Sequence, residues 1–206
     1  MWGKEVLLKF HTVVCVGLLG LVVAGCDVER DQGAQPSAVE PPTSLVSRTP
    51  ANELVLKQEV TFAAPVEAVW RAYTTADGWT AWASPKAEID LRVGGTIRTA
   101  YAGEIGGSDT NTLHIINYVP NRLITLRADV SSNWPEIMQE DADRLSNVVI
   151  FDEVPGGGTR VQSYGIGYSD SPEYDQLMNF FIKANESLYE NLRAYLETDT
   201  RVDWDQ

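Results

Sequence analysis

Apolar residues recur along this chain with two different periods, and each change of period marks a boundary. Residues 53–62, "ELVLKQEVTF", alternate and predict a strand. Residues 64–75, "APVEAVWRAYTT", switch to helical spacing, with Val66, Val69, Trp70 and Tyr73 on one stripe and Pro65 near the first turn. A turn-bounded stretch follows, "TTADGWTAWASP", with Trp79 and Trp82 three residues apart, a spacing that puts both rings on one side of a helical turn. Six strand-like runs come next, at 88–93, 96–105, 112–119, 122–130, 147–154 and 159–168. Their separators carry Gly94-Gly95, Gly106-Gly107, Pro120-Asn121 and Pro155-Gly156-Gly157-Gly158, so short turns join consecutive strands into an antiparallel meander. Residues 131–145, "SSNWPEIMQEDADRL", interrupt it. Asn133 with Glu136 has capping-box spacing and predicts a short helix or flap.

The last element is the clearest. From Asp170 to Glu197 the chain shows cap residues, Pro172 near the first position, and Leu177, Phe181, Ala184, Leu188, Leu192 and Tyr195 at steps of three or four. That is a long helix with one apolar face, and a twisted antiparallel sheet with one apolar face is its natural cover. The fold class expected is α+β: a curved antiparallel sheet around a long C-terminal helix, with two short helices after the first strand.

The amino terminus has a different logic. A short basic region precedes an apolar run from Thr12 to Ala24, shorter than the roughly 20 residues needed to span a bilayer. It therefore reads as a signal peptide. Its exit, Val23-Ala24-Gly25-Cys26, resembles the lipobox of bacterial lipoproteins, which implies acylation of Cys26 and cleavage before it. Several acyl chains give stable attachment, at about 0.8 kcal/mol per buried methylene. The expected location is the cell envelope, on the periplasmic or extracytoplasmic face, and Asp27 resembles an inner-membrane retention signal. The expected organisation is a leader at 1–25, a polar, proline-bearing tether at 26–51, a domain at 52–198 and an acidic tail at 199–206.

Charge and scarce residue types remove whole classes of function. A net charge of −13 repels phosphate backbones, so nucleic acid is not an expected partner. The two cysteines, Cys15 and Cys26, both precede the domain, and of two histidines only His114 lies within it. No disulfide framework, thiol chemistry or transition-metal site is expected, and nothing calls for a cofactor. Asp152 and Glu153, adjacent on a strand, point to opposite faces and cannot pair as acid and base. No nucleophile-elbow sequence accompanies His114.

The segments "VTFAAPVEAVWRAYTTADGWTAWASP", "VGGTIR", "YVPNRLITL" and "VPGGGTRVQSYGIGY", followed by the long helix, resemble the branch named for the heat-shock ATPase activator. That branch belongs to the START and polyketide-cyclase superfamily, SRPBCC, with the helix-grip fold. The likeness spans roughly residues 53–197 and rests on five weak motifs in order. It implies a deep cavity between the concave sheet face and the long helix, but no single activity, because the fold hosts carriers, cyclases and partner-binding modules. The chaperone bound by the namesake is cytosolic, whereas this chain carries an export signal.

The resemblance also orients candidate residues. Trp79 and Trp82 border the cavity opening, a role compatible with closing one end of the core. Ile97, Thr99 and Tyr101 share a face, which brings Tyr101 toward the cavity. Val161, Ser163, Gly165 and Gly167 face the helix and leave either unfilled volume or room for close packing. His114, Ile116 and Tyr118 turn inward in the family register; a surface histidine is the alternative. Phe181 comes from the helix stripe. The leading expectation is a membrane-anchored protein holding a small apolar or amphipathic ligand, without catalysis. Two alternatives stand beside it. One is a cyclase- or lyase-type enzyme using Tyr101, His114 or Arg127; the other is an interaction module docking an envelope partner through its acidic surface or its tail, "TDTRVDWDQ".

Overall fold

A computed structural model describes residues 40–132 and 134–205. The leader, Cys26, Asp27, the first part of the tether and Asn133 lie outside the described residues. In chain order the elements are β1 (Thr43–Arg48), β2 (Glu53–Phe62), α1 (Val66–Thr74), α2 (Ala76–Trp82), β3 (Lys86–Ile89) and β4 (Thr96–Ala100). Then follow β5 (Thr110–Val119), β6 (Leu123–Ala128), α3 (Glu136–Glu140), β7 (Ser146–Val154), β8 (Gly158–Ser169) and α4 (Glu173–Thr198). The strands form one antiparallel sheet in the order β1-β2-β8-β7-β6-β5-β4-β3. The meander expected from the turn residues is therefore present. The α1–α2 pair carries the chain from β2 to the opposite edge, and β8 returns to pair with β2.

Inward rows follow the period of two. On β2, Leu54, Leu56, Gln58, Val60 and Phe62 are buried, and on β8 so are Thr159, Val161, Ser163 and Gly165. Against them lies α4, whose buried residues are Tyr174, Leu177, Met178, Tyr189 and Leu192. Phe62, Phe151, Ile97, Ile115, Ile124 and Leu192 are completely excluded from solvent. Each such side chain contributes about 1.5–3 kcal/mol by burial, against about 0–1 kcal/mol for exposed ion pairs such as Arg48–Asp170 or Arg98–Glu88. The sheet–helix interface, not the charged surface, holds the domain together.

Three departures from the sequence expectations have local causes. The stretch expected as the end of the tether is strand β1, paired along its length with β2. All six of its residues are exposed, so its side chains show no alternation; the backbone ladder to β2, with the Gln58–Ser44 hydrogen bond and the Arg48–Asp170 pair, places it at the sheet edge. Strand β4 stops at Ala100 because the Asp109 carboxylate accepts from the backbone N–H groups of Tyr101 (3.1 Å) and Ala102 (2.6 Å) and draws them into a loop. Helix α3 begins at Glu136 behind Pro135, which offers no side-chain cap, so the box expected from Asn133 does not define its start.

The C-terminal segment is not a free tail. Asp199 takes a left-handed conformation, φ 53°, and its N–H returns to Ala194 and Tyr195, which ends α4. The chain then folds back onto α2. Val202 donates its N–H to the Ala81 carbonyl (3.0 Å) and Trp204 its indole N–H to Thr80 (2.8 Å), while Arg201 pairs with Asp77 (2.8 Å). Among the described residues, no helix is long and apolar enough to cross a membrane.

Candidate functional site

Buried apolar side chains fall into two clusters, not one. The first gathers α1, α2, the middle of the sheet and the Tyr189–Leu192 stretch of α4. The second gathers Leu54, Leu56, Met138, Leu145, Tyr174, Leu177 and Met178 at the other end of the helix. A cavity of about 310 Å³ is lined from both, by residues of β2, α1, α2, β5–β8, α3 and α4. Its size sits at the lower end of the range for small-molecule sites. The exposed Tyr101 and Ala128, with the half-buried Trp134, mark where its wall meets solvent.

Trp79 and Trp82 have two duties at once. The last carbonyls of α1 lack intrahelical partners. Trp79 donates its indole N–H to Tyr73 (2.7 Å) and Trp82 donates to Ala72 (3.0 Å), so α2 is fastened onto the end of α1. Thr75 makes the turn between them by accepting from the Gly78 N–H (3.0 Å). With their polar edges used, both indoles present carbon to the cavity, 5.6 Å apart, and Tyr73 lies 5.1 Å from Trp82.

Of the other residues expected at the cavity, Tyr101, Ser163 and Phe181 line it. Tyr101 donates its hydroxyl to the Ala83 carbonyl (2.8 Å), so its ring leans over the α2 end of the opening. His114 and Tyr118 do not line it. An extra residue, Ile116, breaks the β5–β6 register between Ile115 and Asn117. Before it, Leu113 and Ile115 face inward and His114, opposite Arg127, faces out to bond the Asp129 carboxylate at 2.7 Å. After it the rows exchange, and Tyr118 packs into the first cluster, 6.1 Å from Trp70. The inward histidine, and with it the Arg127 of the enzymatic alternative, is corrected by that bulge.

A second bulge supplies a residue that strand alternation assigns to the outer face. Between Gly165 and Tyr168 the β8 register slips against β2, with Gly167 at φ 89°. Tyr168 consequently turns inward and lays its hydroxyl end over Gly165, where an added Cβ would meet it at 2.7 Å. The glycine inside the strand was the available signal. Gly165 itself leaves room that Tyr168 takes up, while Gly167 accommodates the Arg144 carbonyl, 2.1 Å from where its Cβ would stand.

The described residues of the expected flap, 131–132 and 134–145, bring Trp134, Met138 and Leu145 to the cavity, beside Val130 just after the end of β6. Asp141, 5% exposed, latches it: its carboxylate accepts from the Ser169 N–H (2.8 Å) and the Tyr174 hydroxyl (3.0 Å), with Arg144 at 3.6 Å. Burial alone would raise this carboxyl, but those hydrogen bonds and the arginine outweigh it and hold Asp141 below the usual range.

The cavity lining carries no formal charge at neutral pH. Its ionisable members are Tyr73, Tyr101, Tyr168 and Tyr189. Burial pushes all four above the usual phenol value, Tyr168 and Tyr189 to about 12. Its remaining polar groups form a strip across β2, β7, β8 and α4. Asn185 donates to the Gln58 carbonyl oxygen (2.6 Å), Gln58 donates to Ser44 (3.1 Å), and Ser163 donates to the Asn147 carbonyl oxygen (3.1 Å). Gln58, Asn147 and Asn185 are functional candidates that hydrophobic stripes pass over. Their signal is a polar residue inside an otherwise apolar row: Gln58 between Leu56 and Val60, Asn185 between Phe181 and Tyr189. Among the described residues, no group of three or more histidines, cysteines, aspartates or glutamates is placed to hold a metal ion.

No curated protein matches the sequence. Solved structures share the fold. A solution structure of CalU16 from Micromonospora echinospora is 18% identical, with TM-score 0.57, 80% of this chain and 79% of that one covered. Protein Ms6760 from Mycobacterium smegmatis is 22% identical, with TM-score 0.55, covering 77% and 99%. The Aha1 dimer from Colwellia psychrerythraea is 17% identical, with TM-score 0.54, covering 69% and 96%. A family model, Activator of Hsp90 ATPase homolog 1-like protein, matches residues 63–197, from the end of β2 through α4. The chain belongs to that family.

Proposed function

We propose that this chain is a lipid-anchored envelope protein that binds a small apolar or amphipathic molecule between its sheet and α4, without transforming it. The observation that carries the reading is the gap between the two core clusters, walled by indoles and leucines and bordered by a latched flap. An apolar ligand there would replace poorly bonded water and join the two clusters into one core. The lining supports binding over catalysis. Its phenols stay protonated, and His114 and Arg127 stand on the outer face. Attachment through Cys26, with the leader removed, would place this domain at the membrane surface, and residues 27–42 would be its tether.

Two measurements test the reading. Labelled palmitate should enter the wild-type chain and not Cys26→Ser. Native mass spectrometry of protein from its own host should show a noncovalent small molecule, and added apolar probes should quench the cavity tryptophans. A chain that takes no label leaves the binding reading but removes the anchor. A domain that no apolar probe quenches or stabilises overturns the binding reading.

A second reading has one observation behind it. Among the described residues no strand pairs with the outer edge of β1, which exposes Leu45 and Val46. The Colwellia relative is described as a dimer. Cross-linking the full chain in cells, with Val46→Lys as the control, would reveal a stoichiometric partner on that edge; the folded-back tail is the less suitable surface.

A further inference from the structure

We infer that the ligand of this cavity is electroneutral and carries a hydroxyl group that docks on the Asn147–Asn185 strip; the inference rests on the cavity reading above. A carboxylate or ammonium entering the cavity would meet no residue of opposite charge, because the ionisable groups on its wall are neutral phenols. An ion left unpaired in an apolar enclosure is excluded far more strongly than the equivalent neutral molecule.

A pure hydrocarbon is the wrong match for a different reason. Asn147 uses its carbonyl oxygen on Ser163, which leaves its amide hydrogens as donors. Asn185 donates one amide hydrogen to Gln58, which leaves its carbonyl oxygen as an acceptor and its second amide hydrogen as a donor. Both side chains line the cavity, one from β7 and one from α4. The strip therefore offers amide donors and a carbonyl acceptor from β7 and α4, a mixture that suits a hydroxyl, which accepts and donates at a single oxygen. Covering these amides with hydrocarbon would strip their water and return nothing. The Trp79–Trp82 wall takes the apolar body, and the two asparagines take the polar end.

The test uses four probes of one chain length on the full chain carrying Cys26→Ser, which leaves no acyl chain to compete for the cavity: octane, octanol, octanoate and octylammonium. At about pH 8 the acid and the amine are both ionised. Affinities are read from tryptophan quenching and checked by thermal shift. Octanol should bind at least about tenfold more tightly than either ion, the factor of a single well-made interaction. Asn185→Leu should lose about tenfold for octanol and nothing for octane, and Asn147→Leu should repeat the result should the first variant fold poorly. Octanoate or octylammonium binding within about threefold of octanol would overturn electroneutral selection while leaving the cavity reading intact. Equal losses for octanol and octane in both variants would overturn the strip. Failure of all four probes would remove the cavity reading itself and this inference with it.

Discussion

Replacing Asn185 with leucine should make the domain less stable, although it inserts an apolar residue into an apolar helix face. Gln58 is 1% exposed, and its carbonyl oxygen receives the Asn185 amide at 2.6 Å. In Asn185→Leu that oxygen stays buried with no donor, which costs about 1–3 kcal/mol. For a chain of this size each kcal/mol moves the melting temperature by about 2–4 °C, so a drop of roughly 2–12 °C is expected. Replacing both partners reverses the sign. In Gln58→Leu/Asn185→Leu no buried amide remains, Ser44 is exposed and rehydrates, and leucine fills wall space, so the double variant should melt near wild type or above it. The double-mutant cycle should therefore show coupling of about 1 kcal/mol or more, restoring in direction. Urea unfolding and calorimetry read it directly. An unchanged Asn185→Leu, or a double variant as unstable as the summed singles, would refute the reasoning by showing that cavity water already serves Gln58.

Three further variants probe the flap. Asp141→Ala strands the Ser169 N–H and the Tyr174 hydroxyl and should cost about 2–4 kcal/mol by urea unfolding. Because the Asp141 carboxyl is held below its usual value, its contribution is complete above about pH 4 and fades as pH falls through its folded value. Asp141→Asn should flatten the acid limb of a stability–pH profile; an identical limb would show that the latch is not ionic. Gly167→Ala combines φ 89° with a Cβ 2.1 Å from the Arg144 carbonyl, so it should cost roughly 1–3 kcal/mol and open residues 131–145 to limited proteolysis. Cleavage no faster than wild type would show that the flap is held elsewhere.

What could be read in advance tracks where periodicity carries energy. The α4 stripe and the β2 alternation were legible because long amphipathic elements must bury one face: of the stripe residues Leu177 and Leu192 are buried, and Phe181, Leu188 and Tyr195 pack half-buried against the two clusters. Period counting fails where the ladder slips by one residue. Ile116 and Gly167 each exchange the inner and outer rows, and that alone moved His114 out of the cavity wall and Tyr168 into it. Strand β1 was illegible for the opposite reason: with every residue exposed, its side chains carry no pattern to read.

The cavity's position follows from the same comparison. In the inward row of β2 and on the inner face of α4, apolar spacing is broken once each, by Gln58 and Asn185, and the two meet. A row that buried leucine at both places would let the two clusters fuse and close the space with side chains. The polar pair instead spans the gap while its outer bonds hold β1 and α4 to β2, so the hollow is framed rather than left by defective packing. Local rules are broken on the wall of this cavity, as expected where a site is built at some cost to the core. Gln58→Leu/Asn185→Leu separates the two contributions: a domain that melts as wild type yet loses the octanol preference would assign the pair to recognition, whereas a domain that melts lower and keeps the preference would assign it to structure.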